Sequence, residues 1–432
     1  MKKLMSLFVT AIFIVALSLN VFASGPQDLE TETYIEDGVA LVANAQAFSP
    51  AESNVQVEAA SAAAIVNSDS FVDKVADQNN FDIPAKAGLL MDETTGQILY
   101  AKNIDENLPI ASITKVMTML LVFEAIDSGK IKMEDTVPIS SHAFSMGGSQ
   151  IWLEPGEIFT VHELLKAVAV ASANDAAVAL AEFVGGSETG FCDMMNNRAK
   201  ELGMEKTHFV NACGLDAEGH LSCAKDVAIM SRELMKHTQV FEYTTIWMDY
   251  LRNGQTQIVN TNKLLRRYNG ITGLKTGTTS KAGVCVTATA KRDNMSFIAV
   301  VLGSPSGDER FEAATRLLDF GFSNFESKPF PAIQAYPEEI DVRFGVQKKV
   351  KLDYELPNNM LFLKGSTSNL ESRITIPEYI DAPISQGTQI GNVELYSGGE
   401  KIKQYPIKIG ENVEKVDLKK ALSILINIIC KM

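Results

Sequence analysis

Apolar positions fall along this chain in blocks of distinct period. Residues 87–100 read as a hairpin: an apolar run, a polar turn at Glu93-Thr-Thr-Gly96, then Gln97-Ile-Leu-Tyr100. Residues 116–126 are strongly apolar with helical spacing, and Pro109 precedes them, which predicts a buried helix starting near Ser112. Residues 161–170 and 176–183 predict two further apolar helices. Residues 284–290 and 296–302 are β-branched, apolar runs, read as adjacent strands of an antiparallel sheet. Residues 308–320 carry apolar positions on one face and predict a closing helix. Strands early and late with helices between and after them indicate an α+β domain.

Beyond Lys328-Pro-Phe-Pro331 the period changes to two. Residues 346–352, 373–376, 390–395 and 402–407 alternate between Gly, Pro and Asn turns, which predicts a small all-β domain. No internal repeat is evident.

The two ends differ from this body. Lys2-Lys3, an apolar stretch to about Leu17 and Val21-Phe22-Ala23 ahead of Ser24 have the layout of a secretory signal peptide over 1–23. Residues 24–82 hold eleven Asp and Glu against one Lys74, with little apolar mass to bury, and predict an acidic segment that is largely disordered or loosely helical. At the other end, residues 421–430 are almost wholly apolar between Lys419, Lys420 and Lys431. Ten residues are too few to cross a bilayer. On a helix, Lys420, Ser423, Asn427 and Lys431 would share one face, the pattern of a helix lying in a membrane interface. The expected organisation is 1–23 signal peptide, 24–82 acidic segment, 83–328 catalytic domain, 329–412 β-sandwich-like domain and 413–432 amphipathic anchor. The protein is then exported and peripheral on the outer face of the cytoplasmic membrane.

Length and composition agree with this division. A chain of 432 residues exceeds one ordinary domain. A net charge of −14 argues against nucleic acid as a partner. Five cysteines, an odd number without a C-x-x-C pair, indicate free thiols, although a Cys213–Cys223 bridge is conceivable.

Three short motifs carry candidate chemistry: Ser112-Ile-Thr-Lys115, Ser172-Ala-Asn174 and Lys275-Thr276-Gly277. Ser112 and Lys115 lie three apart on a helix, so the side chains can touch. A serine hydroxyl needs a base, and an amine becomes one when burial or a nearby cation lowers its pKa. Ser172 could pass a proton and Asn174 hold a carbonyl or a lysine. Lys275 and Thr276 on a strand could bind a carboxylate, and Gly277 would let a substrate backbone come close. Each motif alone has a plainer reading as a helix cap or a glycine-rich strand start with a surface lysine. Ser222-Cys-Ala-Lys225 is a second S-x-x-K that an N-cap at Ser222 explains. The ordered set of three is much rarer than its members.

That ordered set is shared by penicillin-binding proteins and β-lactamases. With its flanking blocks, the sequence closely resembles the low-molecular-weight penicillin-binding proteins, serine D-alanyl-D-alanine carboxypeptidases of bacterial cell walls. The blocks are Leu108-Pro-Ile-Ala-Ser-Ile-Thr-Lys-Val-Met-Thr118, Gly148-Ser-Gln-Ile-Trp-Leu-Glu-Pro-Gly156 and Cys213-Gly-Leu-Asp-Ala-Glu-Gly-His220. The resemblance runs from about residue 87 to 409 and departs modestly at Cys223 and Thr278. It implies a β-lactamase/transpeptidase-like α+β fold: an antiparallel sheet flanked by helices, a helical lobe, then the β domain and terminal helix. It implies Ser112 as nucleophile, Lys115 as base, Ser172 as proton relay, and Asn174, Lys275, Thr276, Gly277 and Thr278 as substrate-binding residues. Backbone N–H groups of Ser112 and Thr278 would be the oxyanion donors. The partners implied are a peptidoglycan stem peptide ending in D-Ala-D-Ala and β-lactams as covalent inhibitors, without cofactor or metal.

Other classes fit less well. His162-Glu163 lacks the second histidine of H-E-x-x-H, and no G-x-S-x-G elbow occurs. A β-lactamase would need a further base, and no Glu-x-x-x-Asn segment stands between Asn174 and Lys275. A wall-binding protein with a dead site would not require Ser112, Lys115 and Lys275 together.

Overall fold

The computed structural model describes residues 81–331, 336–366, 369–418 and Ala421. The signal segment, nearly all of the acidic segment and most of the terminal helix expected from the sequence lie outside the described residues.

Five antiparallel strands form the main sheet: β1 (Ala87–Asp92), β2 (Ile98–Lys102), β3 (Ile271–Thr279), β4 (Gly283–Arg292) and β5 (Met295–Ser304). Their spatial order is β2-β1-β5-β4-β3. The expected hairpin is β1–β2, pairing Leu90 with Tyr100. The two late runs are β4 and β5, pairing Ala288 with Ala299. Central strand β5 is apolar on both faces. Phe297, Ala299 and Val301 pack in one core, while Ile298, Val300 and Leu302 pack in the other.

Each core is closed by helices. Helix α6 (Gly307–Asn324) covers one face, with Phe311, Ala314, Leu317 and Leu318 turned inward. Ser306 caps it by accepting from Glu309 N at 3.2 Å. The other face carries the helical lobe: α1 (Lys115–Asp127), α2 (Val161–Lys166), α3 (Asn174–Gly185), α4 (Glu188–Glu201) and α5 (Ala224–Met235). A Thr160/Glu163 capping box starts α2. The apolar run 161–170 does not continue as one α-helix. It widens into a π-helical turn at Ala167–Ala171 and ends at Ser172, which is left-handed (φ 60°). Helix α1 begins after a 3₁₀ turn, Ala111–Thr114, which holds Ser112.

The second domain begins inside the segment expected to close the first. Strand β6 (Phe325–Pro329) follows α6 directly and pairs with β9 (Asn359–Leu363) as a ribbon. The remaining strands, β7 (Glu339–Arg343), β8 (Lys349–Tyr354), β10 (Leu370–Thr375), β11 (Tyr379–Asp381), β12 (Gln389–Ser397) and β13 (Glu400–Ile409), form a six-stranded sheet ordered β10-β12-β13-β8-β7-β11. Only the β7–β11 pair in it is parallel. Met360 and Phe362 of the ribbon pack on Leu395 of that sheet, and a separate cluster around Ile340, Val350 and Ile409 fills the other end.

Two expected boundaries move. Residues 413–416, assigned from sequence to the terminal helix, are extended: Val413 bridges Ile384 and Lys415 bridges Gly345. The first helical residue is Leu418, and Ala421 N donates to Asp417 O at 2.8 Å. Ser222 is not an N-cap; Cys223 caps α5, accepting from Asp226 N. Ser222 Oγ instead meets Thr207 Oγ1 at 2.8 Å, and Lys225 is exposed, so this second S-x-x-K brings no serine to a lysine. Cys192, Cys213, Cys223 and Cys285 are buried free thiols, so no Cys213–Cys223 bridge forms.

Candidate active site

The 3₁₀ turn, α3 and edge strand β3 bring the three motifs together. Lys115 is fully buried. Its Nζ lies 2.9 Å from Ser112 Oγ, 2.6 Å from Asn174 Oδ1 and 2.7 Å from the Cys213 carbonyl. Asn174 Nδ2 donates to Gly147 O at 2.6 Å, so its oxygen must face the lysine. Burial brings the Lys115 pKa down to about 8, against the opposing influence of Cys213 and Asp175. Two of the three contacts are pure acceptors. In the neutral amine they consume the two N–H bonds, and the lone pair faces Ser112.

Lys275 is also fully buried and donates to Thr276 O at 3.0 Å. Burial, then Lys115 and Arg310, hold its pKa well below that of a free lysine. Thr276 Oγ1 meets Thr261 Oγ1 at 2.6 Å. Ser172 is buried, and among the described residues no hydrogen bond ties its hydroxyl. Ser172 and Lys275 are not hydrogen-bonded to each other, so the expected relay pair is not joined directly. Thr278 is exposed at the end of β3.

Close approach explains the glycines. A Cβ on Gly277 would stand 2.9 Å from Ile110 O and 3.0 Å from Ser112 N. One on Gly214 (φ 87°) would stand 2.0 Å from Ala111 O and 2.9 Å from Ser112 N. Ala111 itself is left-handed (φ 49°), a conformation costing an L-residue about 1–2 kcal/mol. The turn that carries Ser112 is thus pressed between two glycines.

Four contributors were not singled out from sequence. Asp175, buried beside Asn174, accepts from Ile151 N and Leu153 N at 3.1 Å each and fixes the loop whose Gly147 carbonyl orients Asn174. Its position in the first turn of a helix reads equally well as a dipole partner. Arg310 of α6 reaches Gly277 O (3.2 Å), Cys285 O (3.1 Å) and Thr278 Oγ1 (3.4 Å). No salt bridge neutralises it among the described residues, and burial lowers its pKa to about 10. An arginine on the apolar face of α6, three and four residues before Ala313 and Ala314, was the available signal. Gly214 lay within a quoted block without a role. Finally, Val210 N donates to His220 Nδ1 (3.0 Å), which leaves the proton on Nε2 to donate to Thr114 Oγ1 (2.7 Å). Thr114 Oγ1 donates to Ala111 O (2.9 Å), so this relay steadies the strained residue ahead of Ser112.

Among the described residues no group of three or more His, Cys, Asp and Glu side chains is placed to hold a metal ion. Lys115, Lys275 and Arg310 are near enough for their charges to repel, and none of them forms a salt bridge among the described residues. The carboxylates near them are Asp175, which favours the charged form of Lys115, and Asp216, whose Oδ1 accepts from Thr279 Oγ1 at the end of β3.

A serine against a buried lysine, beside an open strand edge and a cationic anchor, defines a serine acyl-transfer enzyme. Residues 73–306 match the family model of D-alanyl-D-alanine carboxypeptidases, and 325–415 match that of the penicillin-binding protein 5 C-terminal domain. The D-alanyl-D-alanine carboxypeptidase DacF of Bacillus subtilis is 45% identical over 335 residues, covering 77% of this chain and 86% of that protein. DacC of Escherichia coli is 34% identical over 77% of this chain and 85% of its own length. Penicillin-binding protein 5 of Haemophilus influenzae superposes with a TM-score of 0.69 at 30% identity, covering 78% of this chain and 99% of that one. An ampicillin-bound form of penicillin-binding protein D2 from Listeria monocytogenes gives 0.52 at 34%, over 56% of this chain and 99% of its own. The chain belongs to the D-alanyl-D-alanine carboxypeptidase family, as a serine-type, low-molecular-weight penicillin-binding protein of cell-wall metabolism.

Two consequences are testable here. Gly277→Ala must push Ser112 N out of line, and acylation by a fluorescent penicillin should fall at least about a hundredfold while circular dichroism stays native. Unchanged acylation would show that the strand can retreat. His220, 4% exposed, has its pKa pushed from 6.5 to about 4, first by burial and then by His208, with Asp216 opposing. The unfolded chain takes up that proton near pH 6.5 and the folded one only near 4. Stability should therefore be complete above 6.5 and decline as pH falls to 4, by on the order of 3 kcal/mol. Thermal unfolding across that range should be less steep with pH in His220→Gln; an equal slope would remove His220 as the cause.

Proposed function

We propose that Ser112 is the acyl-accepting nucleophile and Lys115 its base. The observation carrying this reading is the Lys115 cage: two acceptors orient the amine so that its lone pair meets Ser112 Oγ. Ser112 Oγ attacks the carbonyl carbon of the penultimate D-alanine as its proton passes to Lys115 Nζ. The backbone N–H groups of Ser112 and Thr278 receive the oxyanion, each worth about 3 kcal/mol of barrier. The C–N bond breaks as the Ser172 hydroxyl, in a relay with Lys275, gives its proton to the departing D-alanine amine and takes back the one held on Lys115 Nζ, so both side chains return to their starting state. Water then hydrolyses the ester on Ser112. Asn174 and the outer edge of β3 hold the extended stem peptide as an added strand. Lys275, Thr276 and Arg310 bind the terminal carboxylate, which the mutual repulsion of Lys115, Lys275 and Arg310 favours. A β-lactam mimics that peptide end and acylates Ser112, in keeping with the antibiotic-bound state of the Listeria relative.

We propose further that the protein is exported and held on the outer face of the cytoplasmic membrane. The leader-like residues 1–23 and the lysine-flanked apolar stretch 421–430 support this. Among the described residues no helix is long and apolar enough to cross a membrane.

The chemical proposal is tested by penicillin labelling across pH. The neutral fraction of Lys115 grows through its pKa of about 8. The acylation rate should thus rise roughly tenfold per unit below that pH and level off above it. Ser112→Ala should take no label; label on that variant, or a rate flat from pH 6 to 8, would overturn the assignment. For the anchor, Arg310→Gln should raise KM for a D-Ala-D-Ala peptide by about ten- to a hundredfold. The C-terminally amidated peptide should be cut equally poorly by both enzymes. A full difference persisting on the amide would show that Arg310 acts on packing instead.

A further inference from the structure

Among the described residues of the C-terminal domain, four large apolar side chains are exposed: Phe344 (51%), Val346 (41%), Tyr379 (40%) and Leu418 (74%). All four belong to one corner. The Arg343 guanidinium, ion-paired with Asp381 at 2.8 Å, lies 3.6 Å from the Tyr379 ring centroid and 5.7 Å from that of Phe344, so the two rings flank one paired guanidinium. Val346 N donates to Glu414 O at 2.9 Å, and Val416 N donates to Phe344 O at 2.8 Å. Leu418 follows two residues on. The same two hydrogen bonds hold Phe344 in the left-handed region (φ 59°), where a bulky residue is rare. An aromatic ring is thus kept half in solvent at a backbone cost. Elsewhere in the domain the large apolar side chains turn inward or lie partly covered.

The corner is where the chain departs toward its last residues. Lys419, Lys420, the apolar run 421–430 and Lys431 follow immediately in sequence. Short apolar patches carrying Phe and Tyr beside cations suit the headgroup boundary of a bilayer, where rings sit among headgroups and lysines reach lipid phosphates. We propose that this corner of the β domain is itself a membrane-contacting surface. Phe344, Val346, Tyr379 and Leu418 enter the outer interface of an anionic bilayer next to the terminal helix. The proposal rests on the reading of residues 421–430 as an interfacial helix, and it makes that attachment two-point: the tail holds the protein, and the corner orients the domain above the surface.

The two readings separate experimentally. Flotation of the full chain with vesicles of phosphatidylglycerol and phosphatidylcholine measures partitioning. Phe344→Asn, which tolerates φ > 0, combined with Val346→Ser, should weaken it by about tenfold. Carboxypeptidase turnover of a soluble peptide should stay unchanged. Removing residues 422–432, a cut that spares the 413–416 pairing, should weaken binding more. Combining the cut with the corner substitutions should abolish what is left. Release by the cut alone, with the corner variant partitioning as native in both backgrounds, would overturn the corner and leave the tail. Release by the corner variant but not by the cut would do the reverse. A chain that never binds vesicles would end both.

A direct readout is Phe344→Trp with Trp152→Phe and Trp247→Phe. Its emission should be quenched by brominated acyl chains. Emission already shifted to the blue without lipid would mean that the tail or a second copy covers the patch, and would also overturn the proposal.

Discussion

Everything in the catalytic half depends on placing one amine where water cannot reach it. Charged Lys115 loses its hydration, and the acceptors around it are dipoles instead of an ion pair. Such an environment compensates an ammonium only in part, which is why the pKa settles near 8 and not near 10.5. A carboxylate in place of Asn174 would satisfy the charge more fully and so make a worse base. Asp175 stands one residue away, yet its oxygens are spent on Ile151 N, Leu153 N and Ala176 N. The nearest acid is thus occupied with holding the loop in place.

The same economy governs the backbone. Ala111 and Ser172, one beside and one within the motifs, are both left-handed without being glycine. True glycines stand instead at 214 and 277, where a neighbouring backbone needs the volume of a missing methyl. Strain of this kind is maintained only when surrounding contacts over-determine it. The Thr114–His220 relay and the double clamp of Gly214 and Gly277 are those contacts. Preorganisation of the turn around Ser112 is therefore a matter of main-chain packing before it is one of side chains.

Much of this was legible in the sequence. Strands β4 and β5 are runs of β-branched residues buried on both faces, and α6 has one apolar face, so period and length placed them. The lysine that follows Ser112 by three residues had to share its helical face. What escaped detection depends on long-range pairing. Arg310 meets Gly277 only because α6 folds back across β4 and β5. His220 meets Thr114 across 106 positions of sequence. The π-helical turn before Ser172 could not be told from a continuous helix by its Ala-Val composition. Strand β9 lacks alternation and β11 has three residues, while β7 alternates strictly and could have been read from its pattern. Residues 413–416 are extended because Ile384 and Gly345 offer them partners. Local pattern carries no record of such partners.

One detail of the lysine cage bears on how such an enzyme can change over generations. Of the two acceptors that orient Lys115, Asn174 is a side chain and the other is the carbonyl of Cys213. A main-chain oxygen has no codon of its own. Selection under an antibiotic can exchange the asparagine, but no single substitution at position 213 deletes the second acceptor. Half of the cage around Lys115 is thereby shielded from mutation, and heritable change in it is steered toward Asn174 and the loop that supports it.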